Sequence, residues 1–168
     1  MPVMLMFSPF PASEAQSLEL MELTFKKAPN VVALKDDCCN RLSRKMCLQC
    51  HEHLAILSGG EKQNFLDTYP YGCDGYLSTY VSFKPEIAWR FWNAIKKNDM
   101  KTAMEVNAKY DIPYFDLLSG FTGSFDAGIH ATMELFGIMK RWRPLPYYSA
   151  GAKEMEQLKS FFQDLKLL

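Results

Sequence analysis

One lysine of this sequence stands where a reactive amine would be useful. Lys35 follows four apolar residues in the stretch "NVVALKDD", which predicts that it lies at the carboxyl end of a buried parallel strand, the edge where α/β proteins bind ligands. Apolar surroundings disfavour the ammonium form of a lysine, and the neutral amine can attack a ketone to form a Schiff base. The alternative is a lysine just clear of the strand end, paired with Asp36 or Asp37.

A second stretch, "CLQCHEH" at residues 47–53, carries four possible zinc ligands and the Cys-x-x-Cys-His pattern of covalent haem attachment. However, Cys50 shares one helical stripe with Cys39, Leu42 and Met46. The next strand begins at Leu54, which leaves no loop from which ligands would converge. We therefore predict a helix end without a metal, and keep a small zinc-binding module as an alternative.

The elements that must position these residues alternate along the first half of the chain. The apolar runs "VMLMF", "VVALK", "LAILS" and "GYLST" are typical of strands buried on both faces, as in parallel sheets. Ser13 and Gln16 form a capping box for the first helix, and Lys62 in the third helix is predicted to be exposed. From Pro85 onward the apolar residues follow helical spacing only. This order predicts an α/β fold with a parallel sheet, followed by helices.

Composition excludes several classes of protein. The 168 residues include 19 Lys and Arg and 19 Asp and Glu, so the formal net charge is zero, which argues against a nucleic-acid or membrane surface as the main partner. No apolar stretch approaches the roughly 20 residues of a spanning helix. The five cysteines show no disulfide framework, which favours a reducing compartment and hence the cytoplasm.

Three segments in this order, "PNVVALKDD", "LSGG" and "YGCDGYLSTYVSFKP", resemble the dihydrodipicolinate synthase / N-acetylneuraminate lyase family. Those enzymes are (β/α)8 TIM barrels with added C-terminal helices, in which a lysine ending the sixth strand forms a Schiff base with pyruvate or another 2-oxo acid. The resemblance implies the C-terminal half of such a barrel, strands five to eight. Residues 1–84 would form the half-barrel of four parallel strands, and residues 85–168 the last barrel helix and a C-terminal helical extension, in one continuous structural unit.

The resemblance also implies a site. Lys35 would be the catalytic nucleophile, and Ser58, Gly59, Leu77 and Ser78 would bind substrate at the ends of strands seven and eight. The glycine pair that begins at Gly59 would supply unusual backbone angles or tight turns if it served packing alone. No metal and no cofactor are expected, because the iminium is itself the electron sink.

Two departures limit the expected activity. The family tyrosine that relays protons at the end of strand five is replaced by Phe7, so Ser8, water or Tyr80 would have to act instead. Strands one to four of the family have no counterpart here.

We therefore expect a Schiff-base lyase that is incomplete as this chain, with aldol cleavage and dehydration both open and the particular 2-oxo acid undefined. The alternative is a non-catalytic scaffold or interaction protein derived from the family. The expected partners are a small 2-oxo acid, and either further copies of the chain in a homo-oligomer or a missing N-terminal half-barrel.

Overall fold

A computed structural model describes residues 1–8 and 13–168 of the chain. Pro9 and Pro11, which we expect to end the first strand, lie outside the described residues. The chain divides into two compact units, residues 1–78 and residues 79–168. That they make one continuous structural unit, with the half-barrel ending at residue 84, stays a prediction.

The first unit is a four-stranded sheet in which every neighbouring pair of strands is parallel and the strands follow one another in sequence order. The predicted α/β fold with a parallel sheet is therefore confirmed. The fourth strand contains only two residues and is shorter than the sequence suggests. The strands are β1 (Val3–Phe7), β2 (Val31–Asp36), β3 (Ala55–Ser58) and β4 (Gly75–Tyr76), and the helices between them are α1 (Glu14–Lys27), α2 (Arg41–Cys50) and α3 (Glu61–Thr68).

Side-chain caps set where the first two helices begin. The Ser13 hydroxyl accepts the Gln16 N–H at 3.2 Å, and the Gln16 side chain accepts the Ser13 N–H at 2.9 Å, so the predicted capping box is confirmed. Asn40 caps α2 by accepting the Leu42 N–H at 2.7 Å. The predicted stripe was wrong at Cys39, which lies before that cap, is exposed and has a φ of 49°.

The sheet has one covered face and one open face. Side chains of a strand alternate between faces, and Leu34 and Ile56 on the covered face are fully buried. The other face, here called the open face, carries Met4 and Met6, which are 50% and 65% exposed. The prediction that the strands are buried on both faces was therefore wrong for this face. The pairing of the strands aligns one row of residues on it: Met6, Lys35, Leu57 and Gly75.

The second unit is helical, as the spacing after Pro85 predicts, and aromatic side chains fill its core. Tyr80, Tyr114 and Phe162 are fully buried, and the Tyr114 ring lies 5.3 Å from that of Tyr80 and 5.6 Å from that of Phe162. One helix, α6, was not predicted. Within residues 1–8 and 13–168, no helix is both long and apolar enough to cross a membrane. The helices are α4 (Pro85–Lys96), α5 (Met100–Val106), a π-helical segment (Asn107–Asp111), α6 (Ile112–Ser119), α7 (Ser124–Leu135) and α8 (Ala152–Asp164).

Candidate functional site

Lys35 lies one residue before the end of β2, on the open face of the sheet. Its Nζ donates to Asp37 Oδ2 at 2.7 Å and lies 3.8 Å from the Met6 sulfur. The two side chains of this ion pair are 23% and 25% exposed. The structure therefore combines both possibilities left open by the sequence: the lysine is at the carboxyl end of a parallel strand, and a neighbouring carboxylate holds it. An amine in this position can be approached from solvent.

Gly59 makes room for the Asp37 carboxylate. A Cβ atom on Gly59 would lie 1.6 Å from Asp37 Oδ1 and 2.9 Å from the Asp36 carbonyl oxygen. The backbone is tied at the same place, because the Gly59 N–H donates to the Asp36 carbonyl at 2.7 Å and the Asp37 N–H donates to the Phe7 carbonyl at 2.8 Å. Gly59 is thus required for close approach. It is not among the residues with a positive φ, so the alternative that Gly59 supplies an unusual backbone angle does not apply.

Ser58 lies on the covered face, away from Lys35, because the pairing of β2 with β3 sets Lys35 opposite Leu57 and Asp36 opposite Ser58. Its fully buried hydroxyl accepts the Asn64 Nδ2 at 2.9 Å and donates to the Glu61 carbonyl at 3.4 Å.

The same amide of Asn64 donates to Asp36 Oδ2 at 3.3 Å, while Asp36 Oδ1 accepts the Cys38 N–H at 2.9 Å. Asp36 and Asn64 are 2% and 5% exposed, and with Ser58 they form a buried polar network under the open-face site. The sequence does not reveal this network, since its members come from β2, β3 and α3 and meet only through the strand pairing.

Leu77 and Ser78 follow the end of β4, and Ser78 lies next to a buried lysine. Leu77 is 38% exposed, and its N–H donates to the Ser58 carbonyl at 2.9 Å. Lys62 donates to the Ser78 hydroxyl at 3.3 Å and also lies 4.0 Å from Glu61 Oε2. The prediction that Lys62 is exposed was wrong, because the residue is fully buried. Its neighbour Glu61 has a φ of 57° at the start of α3, where the chain turns sharply after β3.

The replacements that we considered for the missing tyrosine hydroxyl differ in position. The Phe7 ring is 6% exposed and Ser8 beside it is half-buried. Tyr80 belongs to the second unit, is fully buried, and its hydroxyl donates to the Tyr110 carbonyl at 3.1 Å. The carboxylate of Asp37 is the acid–base group in contact with the Lys35 amine.

The stretch "CLQCHEH" is the end of α2, as predicted. The helix ends at Cys50 with His51 as its C-cap, and Cys47 and Cys50 are buried. His51 and His53 are exposed, and the His53 ring stacks on Phe25 with ring centres 4.4 Å apart. In the described part of the chain, no group of three or more His, Cys, Asp or Glu residues is placed to hold a metal ion.

Comparison with known proteins gives a family match over nearly the whole chain. The family described as the dihydrodipicolinate synthetase family matches residues 2–165. A search among curated proteins found no match.

Solved structures share the fold at low sequence identity. The chain is similar to dihydrodipicolinate synthase from Bacillus clausii, with a TM-score of 0.81 and 19% identity over 99% of this chain and 55% of that one. The chain is also similar to dihydrodipicolinate synthase from Aquifex aeolicus, with a TM-score of 0.78 and 18% identity over 99% of this chain and 56% of that one.

A third match is YagE from E. coli K12, a prophage protein of the dihydrodipicolinic acid synthase family solved in complex with pyruvate. Its TM-score is 0.75 at 23% identity, over 100% of this chain and 57% of that one. The chain thus spans little more than half the length of these relatives.

Proposed function

Because the chain belongs to the dihydrodipicolinate synthetase family, we propose that it carries the Schiff-base part of a lyase site, with Lys35 as the nucleophile. The observation that carries this proposal is the Lys35 amine on the open face at the end of a parallel strand, 2.7 Å from the Asp37 carboxylate. The substrate would be a 2-oxo acid of the pyruvate type, in agreement with the pyruvate bound by YagE. The reaction of a complete site would be aldol cleavage or dehydration.

We also propose that the four strands correspond to strands five to eight of a (β/α)8 barrel, with residues 85–168 as the last barrel helix and a helical extension. Two observations support this. The strands are parallel and in sequence order, as in one half of a barrel. The chain covers 55–57% of its structural relatives. In a closed barrel the open face would be the barrel interior, and Lys35 would point into it.

Asp37 supplies the proton chemistry that the first step needs. Its carboxylate takes a proton from the Lys35 ammonium, and the freed amine attacks the ketone carbon to form a carbinolamine. Asp37 then returns this proton to the carbinolamine oxygen, takes a second proton from the nitrogen and passes it to the same oxygen, which leaves as water as the C=N bond forms. In total the ammonium and the ketone give a protonated imine and one water. The imine withdraws electrons from the adjacent bonds, so this chemistry needs no cofactor.

Groups beside the Lys35 amine would bind the substrate. Gly59, Leu77 and Ser78 follow β3 and β4 at the same carboxyl edge of the sheet as Lys35. We propose that these three contact the substrate, while Ser58 supports them from the covered face. Its carbonyl holds the Leu77 N–H, and its hydroxyl belongs to the buried network.

Reductive trapping tests this proposal. Incubation with pyruvate and borohydride should add one adduct, and peptide mapping should locate it in "VVALKDD". Lys35→Ala should abolish the adduct. A matched control is Lys84→Ala, because the Lys84 side chain is 25% exposed and lies 3.9 Å from Glu86, which resembles the exposure and pairing of Lys35.

Two further variants test the roles of the neighbours. Asp37→Asn should slow adduct formation at least tenfold by removing the proton acceptor, an effect within the range for general acid–base groups. Gly59→Ala should slow it too, because the added Cβ atom displaces the Asp37 carboxylate. Labelling spread evenly over many lysines in the unmodified chain would contradict the proposal.

The alternative, a non-catalytic scaffold or interaction protein, rests on Phe7. A phenyl ring cannot transfer a proton, so the buried Phe7 side chain leaves the position of the family tyrosine without an acid or base. For this reason we expect imine formation without efficient turnover from this chain alone. A chain that turns over a 2-oxo acid at rates typical of enzymes would exclude the scaffold function.

The exposed apolar side chains of the open face suggest which partners the chain has. Met4 and Met6 are 50% and 65% exposed, and apolar patches and free sheet edges favour association. We propose that this surface is covered in solution, either in a homo-oligomer or by an N-terminal half-barrel. Light scattering should show self-association of the purified chain, and a monodisperse monomer that unfolds cooperatively would contradict this. The five free cysteines support location in a reducing compartment such as the cytoplasm.

A further inference from the structure

A cleft in the second unit is lined in part by the π-helical segment. Its volume is about 480 Å³, within the usual range for sites that bind small molecules. One lining residue, Arg90, comes from α4. The cleft combines two cationic side chains, one carboxylate and apolar surface. The other lining residues come from the end of α5 and from the π-helical segment: Glu105, Val106, Ala108, Lys109 and Tyr110.

The π-helical segment is anchored to the core of its unit. The Tyr80 hydroxyl donates to the Tyr110 carbonyl at 3.1 Å, and the centres of the two rings lie 6.1 Å apart. Asn107 in the same segment is 7% exposed, and its side-chain oxygen has no hydrogen-bond partner in the described part of the chain. An unsatisfied buried group costs stability, and single π turns are frequent at functional sites. Both features indicate a role beyond packing.

The protein does not neutralise the two cations of this cleft. Among residues 1–8 and 13–168, neither Arg90 nor Lys109 forms an ion pair, and the Lys109 Nζ lies 5.1 Å from the centre of the Tyr110 ring. Both side chains belong to exposed residues, so a ligand in solution can reach them. The Glu105 carboxylate lines the same cleft and pairs with neither cation. The lining therefore offers two positive charges and one acceptor for hydroxyl hydrogens.

We propose that this cleft binds a small phosphate ester that carries hydroxyl groups, such as a sugar phosphate. The Arg90 guanidinium presents its donors in a planar fork that fits two phosphate oxygens, and the Lys109 ammonium adds a second cation. A phosphate ester carries about two negative charges at neutral pH, which these two cations balance. The Glu105 carboxylate accepts a hydroxyl hydrogen from the ester and repels a phosphate that has no hydroxyl arm. The site therefore prefers a hydroxylated ester to inorganic phosphate.

The inference does not rest on the Schiff-base chemistry. Arg90 and Lys109 belong to the unit of residues 79–168, whereas Lys35 belongs to that of residues 1–78. Lys35→Ala should bind the phosphate ester as the unmodified chain does, and Arg90→Gln should form the pyruvate adduct at the unmodified rate. Failure of one proposal can therefore be told apart from failure of the other.

Isothermal titration calorimetry of the full chain tests the cleft, with glucose 6-phosphate as the probe. We expect one site per chain, whose affinity falls as salt is added because both cations are exposed. Arg90→Gln and Lys109→Gln should each raise the Kd roughly tenfold, since each removes a charge-assisted hydrogen bond. Lys101→Gln is the matched control and should leave the Kd unchanged, because Lys101 is exposed on α5 and does not line the cleft.

Inorganic phosphate, as a second probe, tests the role of the hydroxyl groups. It should bind more weakly than glucose 6-phosphate, and Glu105→Ala should reduce the difference by removing both the repulsion and the hydroxyl acceptor. Every substituted residue is exposed, so the variants should fold, which circular dichroism verifies. Three results would overturn the proposal: a Kd for glucose 6-phosphate above about 10 mM, an equal loss of affinity in Lys101→Gln, or inorganic phosphate bound as tightly as the ester.

Discussion

The two faces of the same sheet differ in almost every physical respect. The covered face buries Leu34 and Ile56 completely and supports a saturated polar network of Asp36, Ser58 and Asn64. The open face exposes methionines and carries Lys35 with its ion-pair partner. The difference teaches that the buried contacts that stabilise the fold and the lysine proposed to react lie on opposite sides of four short strands. A change on one face should therefore leave the property of the other face nearly intact.

The largest difference in folding stability between the two faces should come from truncating one apolar side chain on each. Ile56→Ala should lower the free energy of unfolding by about 3 kcal/mol, because it removes a fully buried side chain and leaves a cavity. Met6→Ala, at a site that is 65% exposed, should cost less than about 0.5 kcal/mol. Urea unfolding at low protein concentration measures both, and equal costs would show that the open face is also covered.

A second contrast compares two adjacent carboxylates. Asp36→Ala should cost about 2 kcal/mol, because it leaves one N–H of the buried Asn64 amide and the Cys38 N–H without an acceptor. Asp37→Ala breaks a partly exposed ion pair and should cost less than about 1 kcal/mol. The trapping experiment should show the reverse order, with Asp37→Ala the slower of the two to form an adduct. If Asp37→Ala proves the more destabilising change, the separation of the faces fails.

A smaller effect is expected at the start of α1. Ser13→Ala removes the hydroxyl that accepts the Gln16 N–H and should cost about 1 kcal/mol. Ser160→Ala is the control, because Ser160 is exposed within α8 and caps nothing at a helix start. Thermal unfolding followed by circular dichroism should separate the two variants, and a Ser13→Ala chain as stable as the unmodified chain would rule out a stabilising cap.

The smallest expected effect on folding stability comes from the exposed ion pairs of Glu14 with Lys45 and Arg41. The hydrogen bonds from Lys45 and Arg41 hold the pKa of Glu14 below its usual range. A carboxyl whose pKa is lowered by folding contributes stability above its unfolded pKa and loses it as the pH falls through the folded value.

Glu14→Gln should therefore be slightly less stable than the unmodified chain at pH 7, and equally stable once the pH has fallen below the folded pKa. Added salt should also shrink the difference at pH 7. Glu19→Gln, on the exposed side of the same helix, provides the comparison. A difference between Glu14→Gln and the unmodified chain that grows on acidification would contradict the assignment.

Part of the site was predictable because it is local in sequence. The apolar run before Lys35 placed this residue at a strand end, and the acidic pair after it supplied the ion-pair partner. The glycine after "LAILS" marked the place where two strand ends approach each other, although the close contact with Asp37, not a special φ, requires it. The burial of Lys62 was not predictable, because it depends on how α3 packs and not on the local sequence.

By itself, the sequence determined the order of strands and helices in residues 1–78, the parallel sheet, the capping box at Ser13 and the position of Lys35 at the end of β2. These features depend on periodicity and on contacts between residues close in the chain. Only the tertiary structure decided which side of each strand is covered, since a continuous apolar run looks the same for both faces. The pairing of β2 with β3 placed Lys35 on the open face and Ser58 beneath it. Packing of the end of α2 against the segment before β4 brought His51 close to Gly72, because such contacts depend on the fold and not on separation along the chain.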